Sequence, residues 1–252
     1  MKQTFRFIAI ATMFSALLYS CKKIEIPSPP AACSDSCRIE SIYGDPDDGN
    51  PVFNLVGRFT YNDLGAPIFV EKQQPGTGTP DYSFRYDSMN RLTDFIVQYR
   101  NGDFEKWHRY KYDATNRITV DSVFVLGSIV NGQPKKSFSR GVTYLEYDAA
   151  GRVINEYTKD KKGNPNGGVS YSYNAQGNRT DGSAYDNKVN ILRLNKVWQF
   201  IDRDYSMNNA INVLSYQYND RGLPTVINSN KAGLFFLDMF FYNAVRIEYT
   251  CR

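Results

Sequence analysis

One five-residue phrase constrains this chain more than any other feature. It reads Tyr, then Asp or Asn, two variable residues, then Gly or Asn. It occurs at Tyr61-Asn62-Asp63-Leu64-Gly65, Tyr86-Asp87-Ser88-Met89-Asn90 and Tyr112-Asp113-Ala114-Thr115-Asn116. It recurs at Tyr147-Asp148-Ala149-Ala150-Gly151, Tyr173-Asn174-Ala175-Gln176-Gly177 and Tyr218-Asn219-Asp220-Arg221-Gly222. A degenerate seventh copy starts at Tyr242-Asn243. The physical content is a tight hairpin. Tyr closes a strand, and the Asx side chain accepts a backbone N–H two residues on. Gly or Asn then takes the left-handed conformation that other residues resist. Arg91, Arg117 and Arg152 follow directly and open the next strand.

Each interval between these turns holds a second turn. Candidates are Gln74-Pro75-Gly76, Asn101-Gly102, Asn131-Gly132 and the run from Asp160 to Pro165. Alternating segments such as Tyr82-Ser83-Phe84-Arg85-Tyr86 flank them. A unit of about 26 residues is therefore two strands and two turns. Such units predict roughly a dozen strands in one antiparallel meander, and open sheets rarely exceed about ten strands without curling. The expected fold is all-β, a meander rolled into a curved sheet or open barrel. The 19 tyrosines and 16 phenylalanines agree, since aromatics suit half-buried sheet faces. The longest interval holds an insertion over about 180–212. There Leu194, Val197, Trp198, Ile201 and Tyr205 recur at helical spacing, with Asn195, Lys196, Gln199 and Asp202 between them. This predicts one short amphipathic helix near 191–204. It either plugs the rolled sheet or serves as a ligand lid.

The repeats resemble the YD (RHS) repeat, a Tyr-Asp turn followed by Gly-Arg or Asn-Arg. The best matches are 86–91, 112–117 and 147–152; the copies at Tyr61, Tyr173 and Tyr218 depart from it after the Gly. Most of 37–252 is similar to uncharacterised YD-repeat-like lipoproteins of Bacteroidetes-type bacteria. The residues carrying that resemblance are Cys37-Arg38-Ile39, Tyr185-Asp186-Asn187-Lys188 and Tyr249-Thr250-Cys251. The resemblance implies the fold and implies no activity. RHS shells that enclose toxins are far longer.

The first 20 residues read as an export signal. Lys2 and Arg6 precede an apolar run from Phe7 to Leu18, and Leu18-Tyr19-Ser20 leads into Cys21. The run is too short to span a bilayer, which takes about 20 apolar residues. A cysteine at the cut point matches a lipobox, so Cys21 is the expected lipidation site. Residues 21–36 carry Pro27, Pro29 and Pro30 and read as a semi-extended tether to a β domain over 37–252. Lys22 and Lys23 follow the lipidated residue, where surface-exported lipoproteins of this type carry an acidic cluster. The expected location is the outer membrane, on its periplasmic face. Export leaves Cys33, Cys37 and Cys251 in an oxidising compartment, where at most one intramolecular bridge can form among three thiols. Cys33–Cys37 would close only a tiny loop; Cys37–Cys251 is the favoured pair, since it closes a loop of about 200 residues and joins the first strand to the last. Cys33–Cys251 is second, and three unpaired thiols would mean that the chain ends stay apart.

The formal charge is +4, of which Lys2 and Arg6 supply two. No stretch clusters Lys and Arg as a nucleic-acid groove requires, and Lys161-Lys162 sits in a turn. The single histidine, His108, lies in an apparent strand, Trp107-His108-Arg109-Tyr110, where it reads as a sheet-face residue. One histidine rules out His-rich zinc sites, and a Ser-His-Asp triad would depend on it alone. The acidic loop from Asp45 to Asn50 lacks the bidentate Glu of a Ca²⁺ loop and reads as a solvated turn. No catalytic residue, metal or cofactor is assigned. The expected function is a lipid-anchored, non-catalytic envelope module, structural or ligand-binding. Its partners would be the membrane, through the lipid, and a glycan or an envelope protein. Exposed tyrosines, Trp107 or Trp198 could stack on sugar rings, although core packing is their commoner fate. The alternative is an envelope glycoside hydrolase, which needs two carboxylates about 5–9.5 Å apart in a groove.

Overall fold

The computed structural model describes residues 37–44, 53–73, 79–212, 214–229, 234–236 and 240–251. The export signal, Cys21, the tether with Cys33, the 45–50 acidic loop and the Gln74-Pro75-Gly76 turn lie outside the described residues. The chain divides into a unit Met1–Ala32 and a compact unit Cys33–Arg252.

The first eleven strands are β1 (Cys37–Gly44), β2 (Asn54–Tyr61), β3 (Pro67–Lys72), β4 (Asp81–Tyr86), β5 (Leu92–Gln98), β6 (Asp103–Tyr112), β7 (Ile118–Val130), β8 (Gln133–Lys135), β9 (Phe138–Tyr147), β10 (Val153–Lys159) and β11 (Pro165–Ser170). The insertion holds β12 (Tyr185–Val189), a 3-10 turn Ile191–Leu194, helix α1 (Lys196–Asp202) and β13 (Asn208–Ala210). Five strands follow: β14 (Ser215–Tyr218), β15 (Pro224–Asn228), β16 (Leu234–Phe236), β17 (Phe240–Tyr242) and β18 (Ala244–Cys251).

Fourteen strands form one antiparallel sheet, in the order β11-β10-β9-β7-β6-β5-β4-β3-β2-β1-β18-β15-β14, with β8 folded back on β7. The order is that of a ring with one open seam. The last strand returns to pair with the first, and the gap falls between β11 and β14. The strand count exceeds a dozen because short pieces such as β8 pair in their own right.

The Tyr-Asx turns share one hydrogen-bond pattern. Asp87 N–H donates to the Arg91 carbonyl at 3.0 Å, and Asn90 N–H donates back to the Asp87 carbonyl at 3.0 Å. Asp113, Asp148, Asn62, Asn174 and Asn219 repeat both bonds. This is a type I turn followed by a left-handed residue, which forms a bulge and re-aims the strand. Asn90 has φ 57°, Asn116 61° and Gly151 77°. The ladders shift register beside the turn, between Arg85 and Tyr86 and between Lys111 and Tyr112. The same pattern occurs at Asp160, with Gly163 left-handed at φ 86° and Lys159 in the tyrosine position. The seventh copy expected at Tyr242-Asn243 is not a hairpin. Asn243 is a single-residue bend leading from β17 into β18, and its carbonyl accepts the Ser229 N–H.

Tyr61, Tyr86, Tyr112 and Tyr147 each end a strand and donate the hydroxyl to a carbonyl of the strand before it, whereas Tyr218 bonds the Asp186 carboxylate. Tyr86 reaches the Pro67 carbonyl at 2.6 Å, Tyr112 that of Leu92 at 2.8 Å and Tyr147 that of Ile118 at 2.6 Å. Tyr61 reaches Ile39, and Tyr249 reaches Pro224. Burial pushes the hydroxyls of Tyr112 and Tyr147 up to about 12, and those of Tyr61, Tyr86 and Tyr249 higher still. Above pH 10 the unfolded chain releases these protons while the folded chain keeps them. The unfolded state then binds fewer protons, so stability present below pH 10 is lost as pH rises. Alkaline titration should therefore unfold the sheet cooperatively, with tyrosinate absorbance and loss of β circular dichroism rising together. Tyrosinate forming near pH 10 in a still-folded sheet would contradict this.

The core lies on the inner face of the roll, around α1. Trp198 meets Phe59 of β2 at 5.7 Å and Phe84 of β4 at 5.6 Å, and Phe200 meets Tyr110 of β6 at 5.2 Å. Arg203, just past the helix, bonds Glu156 of β10 at 3.1 Å. A seven-residue helix is about 10 Å long, whereas β2 and β10 in a flat sheet would stand about 33 Å apart. The sheet must curl around the helix for both ends to be touched. Helix α1 is shorter than three turns because Asn195 is extended, at φ −153°, and caps it by accepting the Val197 N–H.

The insertion also fills the open seam. On the β14 side, Tyr216 donates to the Ala210 carbonyl at 2.9 Å, and Tyr218 bonds the Asp186 carboxylate. On the β11 side, Thr180 N–H donates to the Ser172 carbonyl at 2.9 Å, and Arg203 bonds Glu156 of the neighbouring β10 at 3.1 Å. With Trp198 at 1% exposure, the insertion is a plug.

Candidate functional site

The Asp copies of the turn end in an arginine and the Asn copies do not, for an electrostatic reason. In each Asp turn one carboxylate oxygen accepts backbone N–H groups, and the other holds the arginine four residues on. Asp87 accepts the Met89 and Arg91 N–H groups on Oδ1, and on Oδ2 meets Arg91 Nε at 2.7 Å. Asp113 with Arg117 and Asp148 with Arg152 repeat this. The Arg91 side chain and backbone hold the Asp87 carboxyl below its usual range, and the Arg117 N–H does the same more strongly for Asp113. Asn62 and Asn219 accept the backbone N–H groups in the same way but hold no arginine; Asn62 donates instead to the Asn90 side chain at 2.8 Å. Each guanidinium then lies over the next tyrosine ring: Arg91 over Tyr112 at 4.7 Å, Arg117 over Tyr147 at 5.5 Å and Arg152 over Tyr173 at 4.2 Å.

This ladder forms one wall of a groove of about 780 Å³ at the turn end of the roll. The opposite wall is the start of α1 and the 3-10 turn before it. Among the described residues, the charged ones lining it are Arg38, Arg91, Arg117, Arg193 and Lys196, with no carboxylate. Arg91 and Arg117 are neutralised by their turn aspartates. Arg38 lies over the Tyr61 ring at 5.6 Å. Arg38, Arg193 and Lys196 have no acidic partner among the described residues, which leaves three uncompensated cations around one opening. A smaller cavity of about 400 Å³ lies at the other ends of the strands, where Glu105 is mixed with Lys106 and Arg140.

Cys37 lines the groove and is joined by a disulfide to Cys251, with Cα atoms 4.0 Å apart. Trp107 is buried, with Arg85 4.7 Å and Arg109 5.4 Å from its ring centre, and it donates to Asp94 at 2.6 Å. Trp198 is in the core, so both tryptophans are packing residues. His108 lies on the inner sheet face, where Nδ1 stands 2.8 Å from Asp121 Oδ2 and the ring stacks on Phe95. Asp121 and Glu156 approach one guanidinium, that of Arg203, at 3.8 Å and 3.1 Å. Neither carboxylate lines either cavity. Among the described residues no group of three or more His, Cys, Asp or Glu is placed to hold a metal, and no helix is long and apolar enough to cross a membrane. Sequence reasoning missed Arg193 and the groove itself, because its cations come from segments over 150 residues apart that only the roll brings together.

No family model and no curated protein matches the chain. Among solved structures it is similar to TcdB2-TccC3-TEV, at 12% identity over 70% of this chain and 9% of that one, with a TM-score of 0.30. It is also similar to a porin-like protein from Bacteroides uniformis ATCC 8492, at 8% identity over 85% of this chain and 98% of that one, TM-score 0.38. A porin-like protein from Bacteroides vulgatus ATCC 8482 matches at 11% identity over 84% and 98% of the two chains, TM-score 0.31. Likenesses this distant carry no argument about activity.

Proposed function

We propose that this protein is a non-catalytic envelope module, held by lipid on Cys21 at the periplasmic face of the outer membrane, that binds an anionic ligand in the turn-end groove. The observation carrying the reading is the groove lining, which among the described residues has five cations and no carboxylate. The three uncompensated charges favour an anion, and the rings of Tyr112 and Tyr147 are covered by guanidiniums, which leaves little room for neutral sugars to stack. The hydrolase reading needs an accessible carboxylate pair. The pair Asp121 and Glu156 is bridged by Arg203 and lines neither cavity.

The test has two arms. Cells fed an alkyne-bearing fatty acid should label the wild-type protein and not a Cys21→Ser variant; equal labelling of both would reject the anchor. The chain from residue 22, applied to arrays of acidic glycans, neutral glycans, peptidoglycan and phospholipids, should bind anionic members alone. That binding should fall with Arg193→Glu/Lys196→Glu, and neutral-glycan binding indifferent to this change would reject the groove.

A further inference from the structure

We infer that the turn end of the roll is a membrane-seating surface, and that the anions its groove receives are the phosphates of lipid headgroups. This rests on the anchor and groove reading above and names its ligand. The first observation is apolar exposure. Leu64 is 76% and Met89 61% exposed. Both stand just before the left-handed residue, at the tips of the β2–β3 and β4–β5 turns. The same position in the other turns holds Thr115, Ala150, Lys162, Gln176 and Arg221, which are small or polar. Large apolar tips are thus confined to two successive hairpin turns on the β1 side of the ladder.

The second observation is where the chain enters. Cys37 opens β1 and lines the groove, and the next residue, Arg38, is one of its uncompensated cations. Residues 21–36 extend to at most about 55 Å, so a lipid on Cys21 tethers the domain to the bilayer through the strand that opens at this end of the roll. Lys22 and Lys23 add positive charge beside the attachment point. The third observation is the groove charge itself. Cations beside a bilayer are drawn to anionic headgroups, and apolar side chains next to them insert at the boundary between headgroup and acyl chain. An acidic polysaccharide would satisfy the cations but would leave Leu64 and Met89 without a use. The lipid surface accounts for both.

The test uses the unlipidated chain from residue 22, which retains the whole compact unit Cys33–Arg252. It is sedimented with vesicles of phosphatidylethanolamine containing either phosphatidylglycerol or phosphatidylcholine. Binding to the phosphatidylglycerol vesicles is expected, weakening with salt and absent from the neutral ones. Arg193→Glu/Lys196→Glu and Leu64→Ser/Met89→Ser should each lower it roughly tenfold. Leu126→Ser/Phe138→Ser, exposed apolar residues on β7 and β9 away from the turn end, should leave it unchanged. Circular dichroism of every variant reports whether the sheet is intact. Equal binding to both vesicle types, equal damage from the control pair, or binding to soluble polygalacturonate but not to vesicles would overturn the proposal. The last result would keep the anion groove and discard the membrane, while the labelling experiment decides the anchor independently.

Discussion

A Cys37→Ser/Cys251→Ser variant is expected to lose about 3–5 kcal/mol of stability and to melt roughly 6–20 °C lower than the oxidised protein. The two cysteines are 214 residues apart in sequence and directly opposed in the β1–β18 ladder. Closing so long a loop removes more unfolded-state entropy than any shorter bridge, and the chain-entropy relation gives about 5 kcal/mol at this length. The pair also lies where first and last strands meet, and Cys37 is buried. Thermal melts of the variant, and of the wild type with and without reductant, measure the effect. Non-reducing peptide mapping establishes the pairing in solution. A variant melting within a few degrees of the oxidised protein would show that the ladder holds this seam unaided.

Trp198→Ala is expected to cost about 3–5 kcal/mol, the range for removing a buried large aromatic side chain. Trp198 stands at the centre of the roll with rings of β2 and β4 edge-on to it, and Asn195 anchors the start of its helix to the Gly65 carbonyl at 3.0 Å. Removing the indole leaves a void between helix and sheet that strands fixed in register cannot collapse to fill. Urea unfolding should show a lower midpoint with an unchanged slope. A loss below about 1 kcal/mol would mean that the helix lifts from the sheet and behaves as a lid.

The turns were the most legible part of this molecule, because each signals locally. The Asx side chain, the left-handed Gly or Asn and the strand-ending Tyr all act within five residues. Even the alternation of Asp copies with Arg and Asn copies without it was in the sequence, and the structure supplies its electrostatic reason. The Asp160 turn was visible only as a generic turn, since Lys159 replaces the tyrosine. Tyr242-Asn243 misled because Tyr-Asx is also compatible with a simple bend. Phe200 was missed for a different reason. It falls off the apolar stripe of α1, and a stripe anticipates burial on one side only. A helix wrapped by a curled sheet is buried on several. The groove had no local signature, since Arg38, Arg193 and Lys196 become neighbours only when the roll forms.

The ring-like strand order has a consequence for how the chain folds. β1 comes first among the described strands, and one of its two partners, β18, comes last. Until β18 is available, one edge of β1 carries unpaired backbone groups, with Ile39 and Ile42 awaiting their place in the core. Such an edge is a template for adhesion between chains. The folding protein therefore carries a risk of self-association until β18 docks.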